Sequence, residues 1–325
     1  MRPPLDPAFR PAYHQLHRVG RPGVWRSLVG TLTLLVLAFA VAPLLVGGIA
    51  IAGQVALGGS LDDAIDSLDV TQQVTPAGLA VLNVTLAAGI FAAWLVSWLF
   101  HRLKPRWLAS VAPRIRWRYF FVCLGLSVVA LIATLVVTLL LPAAPGEAPV
   151  GKVNDFTSTT RDFLLVIALL TPLQAAGEEY VFRGYLTQAF GSLVTARAFA
   201  QVLAVLGPAL LFALAHGVGQ SWPVFIDRFA FGLVAGILVL RTGGLEAPIA
   251  MHVLNNFMAF GLALAFGDMT EALNATVAGS WWMIASTLTQ SLVYLFLASW
   301  AARAMNLADR GPAVGGVLEP PTPRV

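Results

Sequence analysis

Three charged side chains stand inside one apolar stretch of this chain, residues 163–189: Glu178, Glu179 and Arg183. A charge at the centre of a bilayer costs about 2.5–3.5 kcal/mol on insertion scales, so three unpaired ones would cost roughly 10 kcal/mol. Pairing or hydration must offset that. Glu179 and Arg183 lie four residues apart, on one helical face, and can form an ion pair. Glu178 is rotated by about 100° from Glu179 and points elsewhere. It is the carboxylate left over, and such a group suits a general base or acid. A helix end dipping into the headgroups, where all three are simply wet, stays open on this segment alone.

Two histidines add to the set. His14, His17 and His101 fall in basic polar segments and call for no special role, whereas His216 and His252 fall at the ends of apolar runs. Asn256 follows His252 by one turn, and Phe212 precedes His216 at the same interval. A carboxylate and an imidazole can activate a water; His and Asn on one face can donate two hydrogen bonds to an oxyanion. Glu178, His216 and His252 are also ordinary Zn²⁺ ligands. There is no His-Glu-x-x-His spacing and no third histidine in a membrane run, so a metal-free glutamate mechanism without cofactor is expected, with Zn²⁺ as the alternative.

These residues must be positioned by helices in lipid. The chain has 325 residues, 58% hydrophobic and 11% charged, with mean hydropathy +0.79. That excludes a disordered chain and an ordinary water-soluble enzyme. Apolar runs at about 28–56, 79–100, 118–141, 163–189, 198–216, 223–240, 245–266 and 281–304 give eight candidate spans. The expected fold is therefore an all-α polytopic membrane protein. The net charge of +4 would raise nucleic acid as a partner in a soluble chain; here the basic residues sit between apolar runs and read as orientation signals, so the bilayer is the expected partner. With eight spans, sixteen Lys/Arg fall on the side of the termini and three (Lys152, Arg161, Arg228) on the other, which predicts both termini in the cytoplasm. The Arg-rich stretch 102–118 reads as a lipid-headgroup anchor, and Trp281 and Trp282 as an interface belt. Cys123, the only cysteine, permits no internal disulfide.

Glu178-Glu179-Tyr180-Val181-Phe182-Arg183 resembles the Glu-Glu-x-x-x-Arg signature of the CAAX protease and bacteriocin-processing (CPBP) family of intramembrane proteases. Phe212 to His216 is similar to its Phe-x-x-x-His motif, and His252 to Asn256 to its His-x-x-x-Asn motif. The resemblance covers about residues 160–266. It implies a CAAX-protease-like helical core with a polar cavity reached from the cytoplasmic side, in a bacterial plasma membrane. Glu178 and His216 would activate water, His252 and Asn256 would hold the oxyanion, and Glu179, Arg183 and Phe212 would support them. The implied activity is an endopeptidase cutting peptide or protein substrates, lipidated ones among them, near the cytoplasmic face. The alternatives are a non-catalytic partner, such as a bacteriocin immunity or scaffold protein, and, last, a transporter protonated at Glu178.

The expected organisation is a cytoplasmic N-terminal segment (1–27), flanking spans (28–158), the protease core (159–267), a last span (268–310) and a disordered tail (311–325). Depth arithmetic leaves one conflict. A straight helix from Arg197 carries His216 about 28 Å toward the outside, while Glu178 and His252 are expected near the cytoplasmic face. A separation beyond about 8 Å between His216 and Glu178 would end their joint role.

Overall fold

The computed structural model describes residues 8–141, 152–217, 219–274 and 279–313. Most of the expected disordered tail thus lies outside the described residues. Eight helices are long and apolar enough to cross a membrane: α1 (Val24–Ala56), α2 (Pro76–His101), α3 (Trp117–Leu140), α4 (Ser158–Gly191), α5 (Arg197–Ala215), α6 (Trp222–Thr242), α7 (Glu246–Phe266) and α8 (Trp282–Ala304). The chain is an all-α integral membrane protein. Large apolar side chains such as Leu44, Ile49, Phe91 and Leu139 point outward, as lipid, and not water, permits.

The helix ends follow local chemistry. Thr157 and Thr160 form a reciprocal cap at the start of α4, satisfying donors that the first turn leaves free. Thr75 caps α2 ahead of Pro76. α6 stops at Gly243, whose φ of 69° is left-handed and cheap only for glycine. α4, α7, α3, α8, α6 and α5 pack in that order into a ring, with α5 returning to the second half of α4; α2 lies on the outside of α4, and α1 on α2. α2 approaches α4 closely at Gly177, where a Cβ would strike the Leu86 carbonyl. That crossing fixes the backbone one residue before Glu178.

The two ends of the chain meet on one face. Ala12 bridges to Arg310, and the Gly311 amide donates to the Pro11 carbonyl at 2.8 Å. The N-terminal segment, in which the sequence shows no periodicity, forms a buried 3-10 helix, Tyr13–Arg18. Tyr13 donates its hydroxyl to the Leu108 carbonyl, and Arg18 reaches the carbonyls of Gly191 and Val194. The 102–116 stretch lies beneath it, tied to the α6–α7 turn by Val111 N to Gly243 O (2.8 Å) and Leu245 N to Ala109 O (2.9 Å). Together they form a cap over the terminal face.

Three sequence expectations change in this cap. His14 and His17 are not solvated residues of a basic tail: both are buried, and His17 stacks on His101 with ring centroids 3.7 Å apart. His101 in turn hydrogen-bonds the Tyr185 hydroxyl at 3.1 Å. Nor is all of the Arg-rich stretch at headgroups. Arg116 is buried and clamps Glu246 at the start of α7, through Nε to Oε1 at 2.8 Å and Nη2 to Oε2 at 2.6 Å.

Candidate active site

α4 supplies most of the cluster. It runs as an α-helix through Glu179, then widens into π-helical turns over Tyr180–Leu186. Such π segments recur at functional sites because they re-aim side chains that a regular helix would stagger. Glu179 is fully buried, and its Oε1 accepts from Arg183 Nη1 at 3.0 Å. The same oxygen takes a second bond from His252 Nδ1 at 2.8 Å. Facing an ionised carboxylate, Nδ1 carries the proton, so Nε2 of His252 is left to face Glu178 Oε2, 3.6 Å away.

Glu178 is held from its other side. Gln174, one turn earlier on α4, donates to Glu178 Oε1 at 2.7 Å and accepts at its own carbonyl oxygen from Asn256 Nδ2 at 2.9 Å. Gln174 thus links the carboxylate to the amide. It has the helical spacing to be found from sequence, four residues before Glu178, but it belongs to no motif. Glu178 Oε2 is buried and makes no hydrogen bond to protein. Glu179 Oε2 and Arg183 Nε and Nη2 share that condition. Buried polar atoms of this kind are met by ordered water or by a ligand.

Phe212 holds the third wall. The Arg183 guanidinium lies 4.1 Å over its ring, and His216 and His252 meet it edge-on at 4.5 and 6.0 Å. Phe231 of α6 lies 5.4 Å from the His252 ring. His216 Nδ1 donates to the Phe212 carbonyl at 2.8 Å, which leaves Nε2 as its free acceptor. His216 lies within electrostatic range of both Glu178 and His252, though among the described residues no direct hydrogen bond joins them.

The depth conflict dissolves because the helices begin at unequal levels. Counting back from the Gly191 end of α4, Glu178 lies thirteen residues in, about 20 Å. Phe212 lies fifteen residues from the start of α5, about 22 Å. α7 begins beneath the cap, so His252 reaches the same level after only six residues. The cluster is therefore well inside the membrane-spanning part, and the expectation of a site close to the terminal face is corrected by the cap above it.

Two charges escaped the sequence reading as site residues. Arg228 was counted with the outer loops, and Asp227 not at all; both sit inside α6. Arg228 donates to Gln220 Oε1 at 2.6 Å, and Gln220 donates to the carbonyls of Ala213 and Gly217. Among the described residues no three His, Cys, Asp or Glu side chains are placed to hold a metal ion, so the Glu178, His216 and His252 set has no metal-binding arrangement.

An integral membrane bundle with a buried Glu/His/Asn cluster at its centre defines a class in which polar chemistry is done inside lipid. Residues 160–258 match the family model "Type II CAAX prenyl endopeptidase Rce1-like", and this segment is a CPBP-family core: the chain belongs to that protease family. It is 34% identical over 98 residues to the membrane-embedded CAAX protease MroQ of Staphylococcus aureus (strain USA300), covering 29% of this chain and 36% of that one. It is 27% identical over 171 residues to the protein YyaK of Bacillus subtilis (strain 168), covering 49% of this chain and 56% of that one. The matched stretch thus spans about half or less of the length of these relatives. No solved structure matches the chain.

Proposed function

We infer that the chain is an intramembrane endopeptidase in which Glu178 activates a water. The observation that carries this reading is Glu178 Oε2: buried, free of protein hydrogen bonds and 3.6 Å from His252 Nε2. A water there donates a proton to the carboxylate and attacks a peptide carbonyl carbon, with His216 Nε2 as a second acceptor. The carbonyl oxygen becomes an oxyanion, and Asn256 and a doubly protonated His252 donate to it. The proton on Glu178 then passes to the leaving amine. Glu179 and Arg183 support this by locking the His252 ring, and Phe212 by walling the cluster.

The substrate is a peptide or protein segment at the membrane, lipidated ones included by analogy with CAAX proteases. The mechanism needs no metal. Digestion of a peptide library, with prenylated peptides added, by purified protein beside Glu178→Gln and in the presence of a chelator tests it. Cleavage should vanish in the variant and survive the chelator. Equal cleavage by both proteins would sink the role of Glu178; loss under chelator would turn the reading to a metalloenzyme. Inertness of both would favour the non-catalytic partner.

A further inference from the structure

The six-helix ring is closed in one half and hollow in the other. Toward the terminal face, α7 is buried at every residue from Glu246 to Val253, and α6 and α8 each keep a buried inward face, over 231–242 and 290–302. Toward the opposite face, none of residues 225–230 of α6, 254–266 of α7 or 282–289 of α8 is buried. A helix that touches lipid on one side only should still bury its other side. Residues exposed all round a helix mean space on both sides of it.

Helix lengths give an independent sign. Past the level of the cluster, α7 runs on for fourteen residues beyond His252 and α4 began twenty residues before Glu178, about 21 and 30 Å. The α5–α6 hairpin reaches much less far: α5 ends three residues after Phe212, and α6 starts nine residues before Phe231, about 5 and 13 Å. α4 and α7 thus overhang a short hairpin, and the notch left over it leads down to His216, Asn256 and Glu178. Its floor is polar. Arg228, Gln220 and Asp227 lie there, and an arginine about 9 Å into an apolar span is sustained by water and not by lipid.

We propose that the cluster is served through this notch, from the face opposite the chain ends, and that this face is extracytoplasmic. The polypeptide segment that is cleaved therefore arrives from outside. Sidedness follows from the sixteen Lys/Arg on the capped face against three on the other. The choice of a peptide as occupant rests on the reading under Proposed function; the route itself does not.

The experiment uses Cys123→Ala, which removes the only thiol, and adds single cysteines: Thr287→Cys inside the hollow half, Leu57→Cys in the exposed turn after α1 and Arg303→Cys on the terminal face. A small membrane-impermeant thiol reagent is applied to intact cells and to inverted vesicles. Thr287→Cys should label together with Leu57→Cys in intact cells, and Arg303→Cys only in inverted vesicles. Labelling of Thr287→Cys from the Arg303 side, or from neither side while Leu57→Cys reacts, overturns the route; Leu57→Cys reacting only in inverted vesicles overturns the sidedness. Peptides added to intact cells should be cut by wild type and not by Glu178→Gln. Inertness there with the labelling pattern intact would remove the peptidase reading and leave the route standing.

Discussion

The molecule holds two buried Arg–Glu pairs, and they are built differently. Arg116 and Glu246 are matched almost atom for atom: the Arg116 amide and Nε both donate to Oε1, Nη2 donates to Oε2, and Nη1 reaches the Thr242 carbonyl. Arg183 and Glu179 share one bond, and Nε and Nη2 of the arginine and Oε2 of the glutamate have no protein partner. A buried charge pair stabilises only when its remaining donors and acceptors are satisfied. The first pair therefore reads as a clamp that locks the 102–116 stretch onto the start of α7. The second accepts an energetic penalty in order to hold His252 beside Glu178, and its unmatched atoms border the place where water and substrate must go.

The contrast can be broken in stages. The largest effect is expected for Glu178→Gln, which keeps the shape and removes the base: peptidase activity should fall by at least about 100-fold with thermal stability unchanged, read by turnover and by melting in detergent. Arg116→Ala should destabilise by about 3–5 kcal/mol, since it strands Glu246 in the cap. Lys at that position should recover little, because an ammonium cannot reproduce the two-pronged contact. Arg183→Ala should cost less than Arg116→Ala in the same melting assay; an equal loss would erase the distinction between the two pairs. Gln174→Ala should loosen Glu178 and Asn256 together, lowering kcat about tenfold while costing about 1 kcal/mol of stability.

The smallest effect is a pH dependence of the cap. Burial first, and then the positive charges of Arg18, Arg197 and Arg310, lower the His14 pKa from 6.5 to about 4, and burial also lowers that of His17. A histidine that must stay neutral when folded contributes its full share above about pH 6.5. The contribution falls away as pH drops from there toward 4, because only the unfolded chain takes up the proton. Limited proteolysis of the N-terminal segment should accelerate over that window, and His14→Phe should flatten the profile. A profile flat in the wild type would show that His14 does not hold the cap.

Much of the site was legible because its signals are local. Glu179 and Arg183 pair at the i, i+4 distance that any helix offers, and a charge in an apolar run is conspicuous by its cost. The eight spans were legible for the same reason, since length and hydropathy are properties of a segment. Gln174 was not, because a glutamine one turn from a glutamate is common and only its second bond, to Asn256 on another helix, gives it a part. The histidines of the N-terminal segment and the second half of 102–116 were misread because their polarity suggested water. Their burial comes from contacts with residues such as His101, Leu108 and Glu246, far away along the chain.

By itself, then, the sequence determined a membrane-embedded all-helical chain, the order and number of its spans, and a short roster of residues able to do acid–base chemistry. It did so because hydropathy and helical periodicity act over a few turns. Only the tertiary structure decided which carboxylate carries the structural bonds and which is left free, how deep the cluster lies, and which end of the bundle is closed. Those depend on where each helix begins relative to its neighbours, and that offset is set by packing between segments a hundred or more residues apart.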